Sequence, residues 1–243
     1  MPRTGTTTLA RIFAIHPDTC VIIEPFHPRR YEGRHHQAAL AAREPNGSLD
    51  FAWDQWNVIK HVWEADTGWP FGSRPELQVE LWRSATLVIA ANRRNLVKRY
   101  VSAEISRTLR FWIGTRQEFQ QRLSRVSLLP LDPQQAIAAI RRDREALQRR
   151  DEFLRSERIG NVGFSFEEFF RASMKEQFQK INELYIESGL RPLPRTYLVR
   201  HATRWLDPAE YQWSSDAVYS AIPHISAFSA ALANEEGGTL FTD

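Results

Sequence analysis

The sequence predicts an α/β fold in which a mostly parallel sheet lies between helices, and three stretches predict it. In each, a short apolar or β-branched run borders a helical pattern: Val21-Ile22-Ile23, Thr86-Leu87-Val88-Ile89-Ala90-Ala91, and the segment 160–168 around Val162 and Phe164. Strands that alternate with helices mark sheets covered on both faces. At 243 residues and 42% hydrophobic content, the chain can bury one large core, and a single domain over residues 1–243 is expected.

The first element is a loop. Pro2-Arg3-Thr4-Gly5-Thr6-Thr7-Thr8-Leu9 brings a turn former, a cation, a glycine and hydroxyls together just before an apolar helix pattern. Its hydroxyl and backbone N–H groups, with the unpaired N–H groups and partial positive charge of a helix start, make an anion cradle suited to phosphate. The ATP-binding loop places Gly-Lys-Ser/Thr five residues after another glycine. Here Thr6 follows Gly5 and Arg3 lies two residues before it, so a standard kinase loop is not expected.

The helix should end at His16-Pro17, because the residue before a proline leaves the helical region, and a β-branched strand should follow with Glu24 at its carboxyl end. That end of a parallel strand faces the ligand crevice of an open α/β sheet. Trp56 to Trp63 is strand-like, with Lys60 and His61 adjacent. Neighbours on a strand face opposite ways, so both can enter one site only where the strand ends or bulges. The run 86–91 reads as a buried parallel strand leading through Arg93 and Arg94 into a helix that carries Ser102, eight positions after Arg94.

Further along, Val97, Val101, Ile105 and Leu109 form a core stripe. Pro133 to Arg155 reads as a long helix whose Arg141, Arg142, Arg149 and Arg150, offset by Asp143, Glu145, Asp151 and Glu152, form a solvated face. Residues 160–168 read as a strand entering a helix, residues 177–190 as an amphipathic helix ended at Gly189, and Pro192-Leu193-Pro194 as a turn. Trp53, Trp56, Trp63, Trp69, Trp112, Trp205, Tyr211, Trp213 and Tyr219 are core for the most part, with some available to line an acceptor cleft.

Two of these segments carry a resemblance. Residues 2–7 are similar to the 5′-phosphosulfate loop, Pro-Lys/Arg-Ser/Thr-Gly-Thr-Thr, of sulfotransferases that use 3′-phosphoadenosine 5′-phosphosulfate (PAPS). Arg94-Asn95 and Ser102 resemble the arginine and serine, eight apart, with which that family holds the cofactor's 3′-phosphate. The resemblance covers about the first 170 residues. It implies a P-loop-like sulfotransferase architecture, PAPS as donor, 3′-phosphoadenosine 5′-phosphate (PAP) as product and no metal. It also implies that Arg3, Thr4, Gly5, Thr6, Thr7 and Thr8 hold the 5′-phosphosulfate, and that Arg94 and Ser102 hold the 3′-phosphate.

For catalysis the resemblance offers Arg3 as stabiliser of the leaving oxygen and two alternatives for the base. Glu24, twenty-one positions after Arg3, matches the glutamate of the tyrosylprotein branch. His61 with Lys60 resembles the Lys-Thr-His of cytosolic members without its spacer. Phe166 stands where the family has tyrosine, and the carboxyl-terminal Arg-Lys-Gly signature is absent. Because the family loop follows a central strand, the architecture is expected without that first strand, whether upstream residues are missing or the protein does without them.

The acceptor implied is a hydroxyl of a small molecule or carbohydrate. A nucleotide binder without transfer activity and a small ATP-dependent kinase are the alternatives. A net charge of +3, a pI near 9.2 and no basic arm do not suggest nucleic-acid binding. Cys20 is the only cysteine, His35-His36 reads as a loop pair, and the histidines lack metal-ligand spacing. With no signal segment and no apolar run long enough to span a bilayer, a cytoplasmic protein is expected.

Overall fold

The computed structural model describes residues 5–25, 45–61, 76–112, 115–207, 216–233 and 239–241. It is a mixed α/β structure, rich in helix, with short parallel strand pairs. Helix α1 (Thr6–Ala14) starts at Gly5, whose φ of 79° is left-handed, and buries Leu9, Ala10, Ile12 and Phe13. It stops before His16-Pro17, as the proline requires. Strand β1 (Val21–Ile23) follows, then α2 (Pro45–Gln55), β2 (Val58–Lys60), α3 (Glu76–Ser84) and β3 (Val88–Asn92).

Helix α4 (Leu96–Thr108) is capped by Asn95, whose side chain accepts from the Lys98 N–H. Helix α5 (Arg116–Leu123) opens on a Thr115–Glu118 capping box. The long α6 (Pro133–Ser156) starts from Asp132 with proline in its first turn. Strand β4 (Asn161–Ser165) runs directly into α7 (Phe166–Phe170), and α8 (Met174–Glu187) closes at Gly189, φ 75°. The short helices α9 (Arg195–His201), α10 (Thr203–Leu206), α11 (Asp216–Tyr219) and α12 (Ile225–Ala231) complete the described chain.

Among the described residues the strands form two parallel pairs instead of one continuous sheet. Val21, Ile22 and Ile23 of β1 stand opposite Val58, Ile59 and Lys60 of β2, and β3 pairs with β4 from Val88–Asn161 to Asn92–Ser165. Helix α1 relates the two. It begins at the carboxyl end of β4, where a Cβ on Gly5 would lie 3.0 Å from Phe166 and 3.6 Å from Phe164, and it ends beside the start of β1, where Thr19 Oγ1 donates to Phe13 O. Between β2 and β3 lies a cavity of about 590 Å³. The expected single sheet is interrupted there because, among the described residues, no strand bridges the two pairs.

Apolar packing follows the predicted faces in most places. The stripe Val97, Val101, Ile105 and Leu109 is buried with Phe119, Ile140 and Phe228 in one core. A second core joins α1 to Phe164, Phe169, Ile181 and Leu198. A much smaller cluster, Leu49, Ala52 and Leu81 with Trp53 and Trp56, lies against β2. The long α6 is not wholly a solvated face: Arg150 is buried, donating to Asn92 Oδ1 at 2.7 Å and to Asp151, and Asp143 pairs with the buried Arg99 of α4. These arginines bury their stems and keep a charge partner.

Candidate functional site

Arg3 and Thr4 of the predicted cradle lie outside the described residues. Gly5 is described, and it is where a glycine is needed. Its positive φ strains any other residue, and an added Cβ would press to within 3.1 Å of Phe170 as well as against Phe166. As the cap of α1, Gly5 offers no side-chain oxygen to the first helical N–H groups, and Thr6, Thr7 and Thr8 are half-buried there. A helix start whose N–H groups are not claimed by a cap side chain is suited to an anion.

The carboxyl ends of β1 and β2 carry the polar centre. Lys60 Nζ donates to Glu24 Oε1, and the two side chains are 7% and 13% exposed, so this is a buried ion pair. Glu24 is turned inward by a left-handed φ of 51°, fixed by its N–H donating to Lys60 O at 2.7 Å. Strand β2 ends at Lys60, which frees His61 from strict alternation and lets both residues serve the same end of the sheet. His61 Nε2 lies 2.6 Å from Oε1 of the buried Gln78 on α3. Burial, acting against the charged ring, pushes His61 down to about 3, opposed in part by the Gln78 hydrogen bond.

The predicted 3′-phosphate pair is arranged differently. Arg94 sits between β3 and α4, exposed, with its guanidinium on Glu168 at the start of α7. Ser102 is buried two turns into α4. A phosphate shared by both would have to displace Glu168 from Arg94. Beside them Glu167 spans the same junction: its carboxylate accepts from the N–H groups of Arg94 at 2.9 Å and Asn95 at 3.1 Å. Arg93 lies over the Phe166 ring, 4.7 Å from its centroid, and close to Glu167. An acidic side chain thus already sits where backbone N–H groups could meet an anion.

Sequence reasoning did not foresee the roles of Gln78, Glu167 and Arg150. Gln78 is one glutamine in a mixed helical pattern, and nothing local marks it. Glu167 and Glu168 carry a signal in hindsight, since two carboxylates after a strand can reach the arginines that follow a neighbouring parallel strand. Of the predicted aromatics, Trp53 and Trp56 line the cavity, Tyr219 is core, Trp112 is exposed, and Trp63, Trp69, Tyr211 and Trp213 lie outside the described residues. So do His35 and His36.

Among the described residues no three His, Cys, Asp or Glu side chains are grouped to hold a metal, and no helix is long and apolar enough to cross a membrane. Compared with family models, with curated proteins and with solved structures, the chain finds no match.

Proposed function

We propose that this chain is a sulfotransferase that moves a sulfuryl group from PAPS to a hydroxyl of a small molecule or carbohydrate. The observation that carries the reading is the buried Glu24–Lys60 pair, formed by residues 36 positions apart at the carboxyl ends of neighbouring parallel strands. Gly5 lies against Phe164 and Phe166 at the carboxyl end of β4, and Arg94 follows β3, so both border the carboxyl end of the β3–β4 pair, the end at which open α/β sheets take ligands. The cradle at Gly5 to Thr8 fits a 5′-phosphate, and Arg94 fits a 3′-phosphate if it exchanges Glu168 for that partner.

When bound, PAPS supplies an activated sulfuryl group. The acceptor hydroxyl gives its proton to Glu24, the stronger of the two base candidates, since His61 is held by Gln78 and pushed down to about 3. Protonation of Glu24 removes the partner charge of Lys60, whose ammonium then favours negative charge developing at the leaving oxygen. N–H groups at the start of α1 hold the phosphate in place, and Arg3 adds a second cation in this reading.

The test is transfer of labelled sulfuryl from PAPS to a panel of sugar and aromatic alcohols. Glu24→Gln should lower turnover at least ~100-fold while leaving PAP affinity unchanged. Equal turnover in the variant would remove Glu24 from the mechanism. A chain that binds PAP and transfers to no acceptor would instead be a nucleotide binder without transfer.

A further inference from the structure

We propose that the cavity between β2 and β3 binds a small aromatic carboxylate, with the acid group on Arg150 and the ring between apolar walls. Its volume of about 590 Å³ is that of a small-molecule site. Phe13, Trp53, Trp56 and Leu81 line it, so a flat apolar body finds cover there. The charge on the walls has one sign. Lys60 and Arg150 both line the cavity, and among the described residues that line it there is no Asp or Glu.

Arg150 is the cation placed to hold the ligand. It is buried on α6 along with Ile140, Ala146 and Leu154, where an apolar residue would pack without the cost of burying a charge. Its Nε and Nη2 donate to Asp151 Oδ1 at 2.8 and 2.6 Å, and Nη2 also donates to Asn92 Oδ1 at 2.7 Å. The N–H groups of Nη1 meet no acceptor among the described residues. The Asp151 side chain is 47% exposed, so solvent weakens its hold on the guanidinium charge. A guanidinium fixed on one side by Asn92 and Asp151, with donors left on the other, is suited to a carboxylate. Lys60, by contrast, is committed to Glu24.

The backbone supplies a second donor. In a parallel ladder, alternate residues turn both N–H and C=O toward one neighbour. Val88 N–H donates to Gly160 O, so Val88 and Ala90 face β4 and Ala91 turns its N–H the other way. Ala91 lines the cavity and precedes Asn92, the residue that Arg150 holds. A guanidinium and a peptide N–H together can satisfy an acid group that leaves water.

The same placement orients the ligand. Lys60 ends β2 and Asn92 ends β3, so an acid seated on Arg150 extends its far end toward the Glu24–Lys60 pair. Resting on the sulfotransferase reading, this names the acceptor as the hydroxyl of an aromatic hydroxy acid. Its oxygen bonds to sulfur as the bond from sulfur to the phosphate oxygen breaks, its proton passes to Glu24, and PAP leaves with the bonding electron pair.

The test titrates the chain with para-hydroxyphenylacetate and with its neutral isostere para-hydroxyphenylacetamide. Binding is followed by tryptophan fluorescence and by the NMR amide shifts of Ala91 and Ile59, with Ile140 and Leu198 as references. The acid should bind roughly 10- to 100-fold more tightly than the amide and shift Ala91 and Ile59 alone. Arg150→Gln should erase that preference, and Arg150→Lys should keep part of it. Acetate, which lacks the ring, should bind at least ~100-fold more weakly than the aryl acid. If Arg150→Gln does not fold, the acid-to-amide ratio and the amide shifts of the unchanged chain decide the matter. Equal affinity for acid and amide, shifts that avoid Ala91, or acetate as strong as the aryl acid would each overturn the proposal. Adding PAPS separates it from the reading on which the acceptor rests. Faster sulfation of the acid than of the amide supports both, and faster sulfation of the amide overturns the acceptor assignment. Tight binding of the acid with transfer to neither compound overturns sulfotransferase activity and leaves the carboxylate site supported.

Discussion

Strands β3 and β4 run side by side for five residues over a core that includes Phe164, Phe169, Ile181 and Leu198, whereas β1 and β2 share three residues and close on the Glu24–Lys60 pair. One half is held by apolar burial. In the other, among the described residues, the small buried cluster of Leu49, Ala52 and Leu81 lies beside β2, Val21 and Val58 reach the larger core, and a buried polar pair is one that chemistry can use. The contrast separates scaffold from reactive edge: buried ionic groups contribute little net stability compared with apolar side chains of similar volume, yet they fix charge at a chosen point.

The largest effect should come from the scaffold half. Phe169→Ala, which empties a site 2% exposed, is expected to cost about 4 kcal/mol, and Leu81→Ala about 2–3 kcal/mol, both read from urea denaturation. A greater loss for Leu81 would reverse the comparison. Next comes the reactive half. Lys60→Met takes the Lys60 charge away from the Glu24 carboxylate and should cost about 3 kcal/mol, while the double variant Glu24→Leu with Lys60→Met should recover most of that. Failure to recover would mean that the pair is stabilising in itself.

Gly5→Ala joins the two halves in one test, since α1 packs across both. A left-handed alanine pressed on Phe166 should lose about 2 kcal/mol, and adding Phe166→Leu should restore the steric share but not the backbone share. The smallest effect per step is graded with pH. The unfolded chain binds a proton at His61 below about 6.5, and the folded chain refuses it until about 3. Stability should therefore fall by about 1.4 kcal/mol for each pH unit descended through that window, and His61→Gln should remove that increment from the slope.

Strand and helix types were legible because local chemistry agreed with the fold. Pro17 ends α1, Asn95 and Asp132 cap their helices, Gly189 closes α8, and the stripe from Val97 to Leu109 is core. Glu24 was legible as a strand-end carboxylate. Its partner was harder: the adjacency of Lys60 and His61 argued against a shared site on an unbroken strand, and only the end of β2 at Lys60 removes the objection. Long-range charge pairing was the least legible. Arg99–Asp143 and Arg150–Asn92 bring residues of α6 against α4 and β3, and a charge pattern along one helix does not reveal which cations fold inward. The Glu167 carboxylate on the start of α4 was hidden for the same reason.

The most direct measurement is calorimetric titration of the chain with PAP, with Arg94→Ala beside it and ATP plus magnesium as the control. The account predicts a dissociation constant in roughly the micromolar range, at least tenfold weaker in Arg94→Ala, and no comparable affinity for ATP. Absence of PAP binding by the folded chain, or equal affinity with and without the Arg94 guanidinium, would contradict it.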